Sequence, residues 1–189
     1  TKIVPVDVNI LGKRAEYNGF YVARLIAELP PHHPISLLGH SHGARVVAST
    51  MHLIGGGSIQ GVSLQDCGLQ ICCNCRHFRV VFAAAAINHN WLNPGDRYGC
   101  GLNCTDCLVN LRNHKDRILR FYPVLAPISR RALAKTGFTW LDRRKLGDDV
   151  NRVHDIDVSQ CVGGGHMFPN YYSHPQIAEA IVPAIYFSN

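Results

Sequence analysis

The stretch PISLLGHSHGARVVAST, Pro34 to Thr50, decides how this chain is read. The apolar run from Ile35 to Leu38 stops at Gly39. Ser41 then stands between His40 and His42, Gly43 follows, and apolar residues recur at helical spacing from about His42 to Leu53, where Gly55, Gly56 and Gly57 end them. This is strand, sharp turn, helix. The turn itself, Gly39-His40-Ser41-His42-Gly43, matches G-x-S-x-G. The steric reason for that pattern is that small residues let strand and helix pack closely while the turn lifts the serine into an exposed position. The helix N-terminus brings its positive end and its free N–H groups to the same point, with the His42 N–H as an oxyanion donor. A strand–helix turn with a capping serine is the competing reading, and the rest of the chain has to decide between them.

Working outward, Val22, Leu25, Ile26 and Leu29 fall at i, i+3, i+4 and i+7, which predicts a helix from Arg14 to Leu29 stopped by Pro30 and Pro31. Residues 3–10 alternate apolar and polar as a short strand or extended arm, with Pro5 arguing against a central strand. Downstream, 79–87, 107–113 and 153–159 read as strands. His174 to Phe187 reads as a final helix that Pro183 kinks or shortens. Residues 58–78 and 88–107 are irregular and rich in cysteine, and 123–150 has no clear period. Alternating strands and helices predict an α/β domain, a mostly parallel sheet flanked by helices, spanning 1–189 as one unit.

A nucleophilic serine needs a base, and the base needs an orienting carboxylate. In the G-x-S-x-G architecture they follow in the order serine, acid, histidine, in loops after later strands. Asp116 lies just beyond the strand at 107–113, and His166 lies in the glycine-rich loop beyond the strand at 153–159. The rivals fit less well. Asp106 precedes its strand, while Asp155 and Asp157 belong to the strand before His166. His114 and His154 read as surface residues, and His174 opens the last helix. His40 and His42 flank Ser41 on the turn and point elsewhere; both are expected to line the pocket mouth, His40 as a substrate contact.

Composition narrows the partners. A hydrophobic fraction of 47% and a charged fraction of 17% belong to a globular chain. The net charge of +6 is spread along the sequence, and the densest basic run, Arg143-Arg144-Lys145, is too short for a nucleic-acid stripe. No apolar run is long enough to span a bilayer. The first residues lack a signal-peptide pattern, so a cytoplasmic location is expected over secretion. Of the eight cysteines only Cys161 lies outside 67–107. Cys72 and Cys75, and again Cys104 and Cys107, form C-x-x-C units. These are open to a structural zinc, with Cys67, Cys73 and Cys100 as alternative ligands, to disulfides, or to free thiols.

The elbow, together with RVVFAAAAINHNWL, NLRNHKDRILRFYP and IDVSQCVGGGH, resembles the C-terminal two-thirds of an alpha/beta hydrolase. It is most similar to poorly characterised bacterial alpha/beta hydrolases of planctomycete type within the esterase/lipase-like group. The resemblance covers most of the chain after about Arg14. It implies Ser41 as nucleophile, Asp116 as acid and His166 as base, no metal and no organic cofactor, and a small-molecule acyl substrate cleaved through an acyl-enzyme. Such proteins carry further strands before the elbow, with a loop that gives a second oxyanion N–H. Only 40 residues precede Ser41, without an HGGG-like motif, so the expectation is an N-terminally truncated domain of impaired activity. The alternative is a non-catalytic α/β module with a cysteine-stabilised binding surface.

Overall fold

The computed structural model describes residues 5–122 and 131–187, with side chains from residue 10 onward. The helix predicted from Arg14 begins earlier: α1 runs Pro5–Glu28. The alternation at 3–10 therefore makes neither strand nor arm over its described part, and residues 1–4 lie outside the described residues. Pro5 takes the first helical position, where its missing N–H costs nothing and its fixed φ suits the turn. At the other end the carbonyls left without helical partners are taken up by one buried side chain from far along the sequence. Arg76 donates to the carbonyls of Ile26 (3.0 Å), Leu29 (2.8 Å), Pro30 (2.8 Å) and Pro31 (3.2 Å).

The elbow stretch folds as β1 (Ile35–His40) followed by α2 (His42–Ile54). A small hairpin follows, β2 (Ser58–Ile59) with β3 (Val62–Ser63), and then the strands β4 (Phe78–Ala83), β5 (Cys107–Arg112) and β6 (Val153–Asp157). The main sheet has four strands in the order β1-β4-β5-β6, every neighbouring pair parallel. The strand expected over 79–87 stops at Ala83, because Ala84 adopts φ 50 and turns the chain out of the sheet. The stretch 123–150, which lacks a period, holds two helices too short to show one: α3 (Leu133–Thr136) and α4 (Trp140–Leu146). A local signal for α4 was present in the sequence, since Thr139 and Asp142 form a capping box at its start. The chain ends in α5 (Ser159–Val162), α6 (Pro169–Tyr172) and α7 (Pro175–Ile185), the last stopping two residues beyond Pro183.

Helices cover both faces of the sheet, which is why the central strand reads as a continuous apolar run instead of an alternating one. Val80, Val81, Phe82 and Ala83 are all 1% exposed. Gly39 on β1 faces Ala44 of α2, so its neighbour Leu38 faces the other way, toward α7. On the α2 side a buried carboxylate fastens α1. The Glu16 Oε1 accepts from Arg97 Nε (2.6 Å), the Tyr98 hydroxyl (2.6 Å) and Arg45 (3.2 Å), joining α1, α2 and the loop after β4. Burial alone would raise the Glu16 pKa, but the bonds from Arg97 and Tyr98 and the charges of Arg45 and Arg97 hold it below the usual range. Among the described residues, no helix is long and apolar enough to cross a membrane.

Two features of this layout position a site. Because the strands are all parallel, β1, β5 and β6 end at the same edge, where loops from different strands converge. And β1, which leads into Ser41, is an edge strand: among the described residues nothing pairs with its outer side, and Leu38 is 40% exposed.

Candidate active site

Ser41 sits between β1 and α2 with φ 53 and ψ −119, a conformation that costs a residue with a side chain on the order of 1–3 kcal/mol. The surrounding backbone holds it there. Its N–H donates to the Ala83 carbonyl (2.9 Å), and its carbonyl accepts from Ala44 (3.1 Å) and Ala86 (3.2 Å). The alanines after β4 are what allow this approach, since Ala84 and Ala85 are fully buried beside the elbow. The two glycines of the motif are not equivalent. A Cβ on Gly39 would stand 2.6 Å from the Cα and 2.7 Å from the N of Ala44, backbone that has nowhere to go. A Cβ on Gly43 would meet nothing within 4 Å.

Asp116 lies in the turn after β5 and is completely buried. One carboxylate oxygen accepts the Leu119 N–H (2.9 Å), which fixes the rotamer. The other meets His166 Nδ1 at 2.8 Å. A carboxylate acceptor at Nδ1 puts the imidazole proton on that nitrogen, so Nε2 presents its lone pair. Nε2 lies 3.0 Å from Ser41 Oγ. The three residues singled out in the sequence thus form one hydrogen-bonded line, from elements distant in the chain. The His166 side chain is 13% exposed, so the line opens to solvent at its serine end and closes at its acid end.

His42 is the first residue of α2, so its N–H has no carbonyl within the helix to bond. That is the property an oxyanion donor needs. Its imidazole is held neutral: burial lowers its pKa, and the charges of Arg45 and His166 lower it further. His40, expected to line the pocket mouth, is engaged elsewhere. Its Nε2 lies 2.6 Å from the His166 carbonyl oxygen, and its ring packs on His166 and Phe168 with centroids 5.3 and 5.5 Å apart. Behind these rings, between sheet and α7, is an apolar cavity of about 90 Å³ lined in part by Leu38, Tyr171 and Ile181.

The rival residues have other partners. Asp155 is bonded by Asn110, Arg143 and the Phe138 N–H, Asp106 pairs with His77, and His174 is the residue before α7. What the sequence reading missed is Asn113, fully buried at the end of β5, whose amide reaches the glycine loop before His166. Its only signal was its place, a polar residue just past the end of a strand.

The disulfide-bonded cysteines gather at the opposite edge of the sheet, where β4 begins. Cys72 pairs with Cys75 and Cys73 with Cys104, while Cys67, Cys100, Cys107 and Cys161 are free. The second C-x-x-C unit is therefore not a unit: Cys104 reaches back to Cys73, because the loop after β4 crosses to the edge where β4 began. Among the described residues no group of three or more His, Cys, Asp or Glu is arranged to hold a metal. Compared with known protein families, with curated proteins and with solved structures, the chain finds no match.

Proposed function

We propose that the protein is a serine hydrolase of the alpha/beta-hydrolase type, cleaving an ester or related acyl bond of a small molecule through an acyl-enzyme. The observation that carries this reading is the line of hydrogen bonds from Ser41 Oγ to His166 Nε2 (3.0 Å) and from His166 Nδ1 to Asp116 (2.8 Å). The strained Ser41 backbone at a strand–helix turn supports it independently, since strain of this kind survives only where the surroundings enforce it.

In the reaction His166 Nε2 takes the Ser41 hydroxyl proton as Oγ attacks the carbonyl carbon. Asp116 keeps the proton on Nδ1 and stabilises the imidazolium that forms. The oxyanion meets the His42 N–H at the N-terminus of α2. Collapse expels the alcohol, which leaves with the proton from His166. Water then attacks the acyl-enzyme with His166 again as base, releasing the acid and restoring Ser41. For location, two disulfides argue for an oxidising compartment, against the cytoplasmic expectation.

The test is labelling with a fluorophosphonate followed by mapping of the modified peptide. Phosphonylation of Ser41, absent in Ser41→Ala, is the expected result. A folded protein that stays unlabelled at Ser41 overturns the reading.

A further inference from the structure

The base of the triad rides on Gly163-Gly164-Gly165-His166, one of the two triple-glycine runs of this chain and so rich in backbone freedom to lose. Catalysis by His166 would nevertheless require its imidazole to be fixed closely, since a misplacement of about 1 Å costs roughly 100-fold in rate. The glycines have no side chains with which to fix anything. What holds the segment is its carbonyls. Four in succession accept a hydrogen bond from outside it: Gly163 from Asn113 Nδ2 (2.9 Å), Gly164 from the Arg117 N–H (3.4 Å), Gly165 again from Asn113 Nδ2 (3.4 Å), and His166 from His40 Nε2 (2.6 Å).

The donors are not scattered. His40 immediately precedes Ser41, and Asn113 and Arg117 bracket Asp116. We propose that His40 and Asn113 are positioning residues that set the base by gripping its backbone, so that the nucleophile turn and the acid turn each hold the third member of the triad directly. This rests on the triad reading given above. Because each donor belongs to the segment that carries another triad residue, the base is referenced to both of its partners and not to the bulk of the fold.

The chemistry of each donor fits the task. A carbonyl acceptor requires His40 to carry its proton on Nε2, in the neutral ring as in the charged one. Burial keeps His40 neutral, so it does not repel the positive charge that arises on His166. The His40 ring packs against His166, Phe168 and Tyr171, with centroids 5.3, 5.5 and 6.0 Å apart. Asn113 is itself fixed, since its Oδ1 accepts the Lys115 N–H (3.0 Å) and its own N–H donates to Ala134 (2.6 Å). Its amide therefore faces the glycine loop. Gly163, with φ 60 and ψ −137, takes a conformation that is strained for a residue with a side chain and open to glycine.

The decisive measurement needs no variant. Nitrogen NMR of protein labelled at histidine reports which ring nitrogen of His40 is protonated. Protonation at Nε2 is expected; a neutral ring protonated at Nδ1 overturns the proposal, whatever the enzyme does. The variants then separate positioning from packing. With p-nitrophenyl acetate, His40→Leu, which keeps bulk and loses the donor, is expected to lower kcat by about 10- to 100-fold with KM within about threefold. The downfield Nδ1 proton of His166 should broaden or vanish with it. His40→Gln, which restores a donor, should recover kcat to within about threefold of the original. A folded His40→Leu with unchanged kcat and a sharp His166 proton, or a folded His40→Gln as impaired as His40→Leu, overturns the positioning role. A wild-type protein with neither turnover nor labelling at Ser41 defeats the hydrolase reading instead, and the tautomer of His40 still decides the grip on the loop.

Discussion

The molecule contains two clusters of serine, histidine and aspartate, and only one of them has the arrangement that the proposed reaction needs. In the first, His166 meets Asp116 through Nδ1 and Ser41 through Nε2. In the second, His114 meets Ser159 Oγ at 2.7 Å and Asp157 at 3.7 Å through the same nitrogen, Nδ1. A single nitrogen cannot relay a proton between two partners. Ser159 is also fully buried, opens α5, and its Oγ accepts the His114 backbone N–H (3.0 Å). Asp157 is occupied too, held well below the usual carboxylate range by Ser159 and by the Arg112 guanidinium. The same three residue types therefore make one continuous hydrogen-bonded line in one place and a fastening between β5, β6 and α5 in the other. The difference is which ring nitrogen faces which partner and whether the serine is reachable.

The sharpest way to break this comparison is to exchange the serines' fates. Ser41→Ala should abolish turnover and labelling, whereas Ser159→Ala should leave both intact and lower stability by about 1–2 kcal/mol, because the His114 N–H loses its acceptor. Labelling and thermal melts of the two variants check this; loss of labelling in a folded Ser159→Ala would erase the distinction.

The aspartates should diverge next. Asp116→Asn is expected to reduce kcat by roughly 10⁴-fold, since an amide favours the wrong imidazole tautomer. Asp157→Asn should leave kcat within a few-fold. Steady-state kinetics on both variants decide, and comparable losses would mean the second cluster serves the reaction.

The strained serine sets the first cluster apart, and the elbow glycines give it a smaller test. Gly39→Ala drives a Cβ into the Ala44 backbone and should cost about 3 kcal/mol. Gly43→Ala meets open space at the start of a helix and should be neutral or gain up to about 1 kcal/mol. Denaturant melts measure both, and equal losses would show that the second glycine is also a steric requirement.

The smallest effect concerns pH. Glu16, Asp142 and Asp157 are all held below their ordinary values in the folded protein. Carboxylates shifted this way contribute stability that is complete above the ordinary range near ~4 and lost as the pH falls through and below it. The melting temperature should therefore drop from pH 5 to pH 3, and less steeply in Glu16→Gln, which is less stable at pH 7. A midpoint that rises on acidification would contradict the assignment.

Much of this was legible in the chain. The parallel α/β order followed from alternating apolar runs and helical spacing, because burial on both faces of a sheet imposes those patterns. That Ser41, Asp116 and His166 would lie near one another was legible because each follows a strand, and strand ends at one edge of a parallel sheet are where loops can meet. Short-range signals were read too weakly at 5–9 and at 139–142, where a first-turn proline and a capping box mark helices.

Other features depended on contacts between segments far apart in sequence. Arg76 closing α1, Cys104 choosing Cys73 over Cys107, and Glu16 gathering Arg45, Arg97 and Tyr98 have no local pattern. The role of His40 is the clearest case. Local geometry on the turn says only that it points away from Ser41. That its Nε2 ends on the carbonyl of His166 was decided when the loop after β6 folded over β1. Residue types and their order along the chain determined which groups could form the hydrogen-bonded line; the packing of loops at one edge of the sheet decided which nitrogen, which carbonyl and which serine would take part.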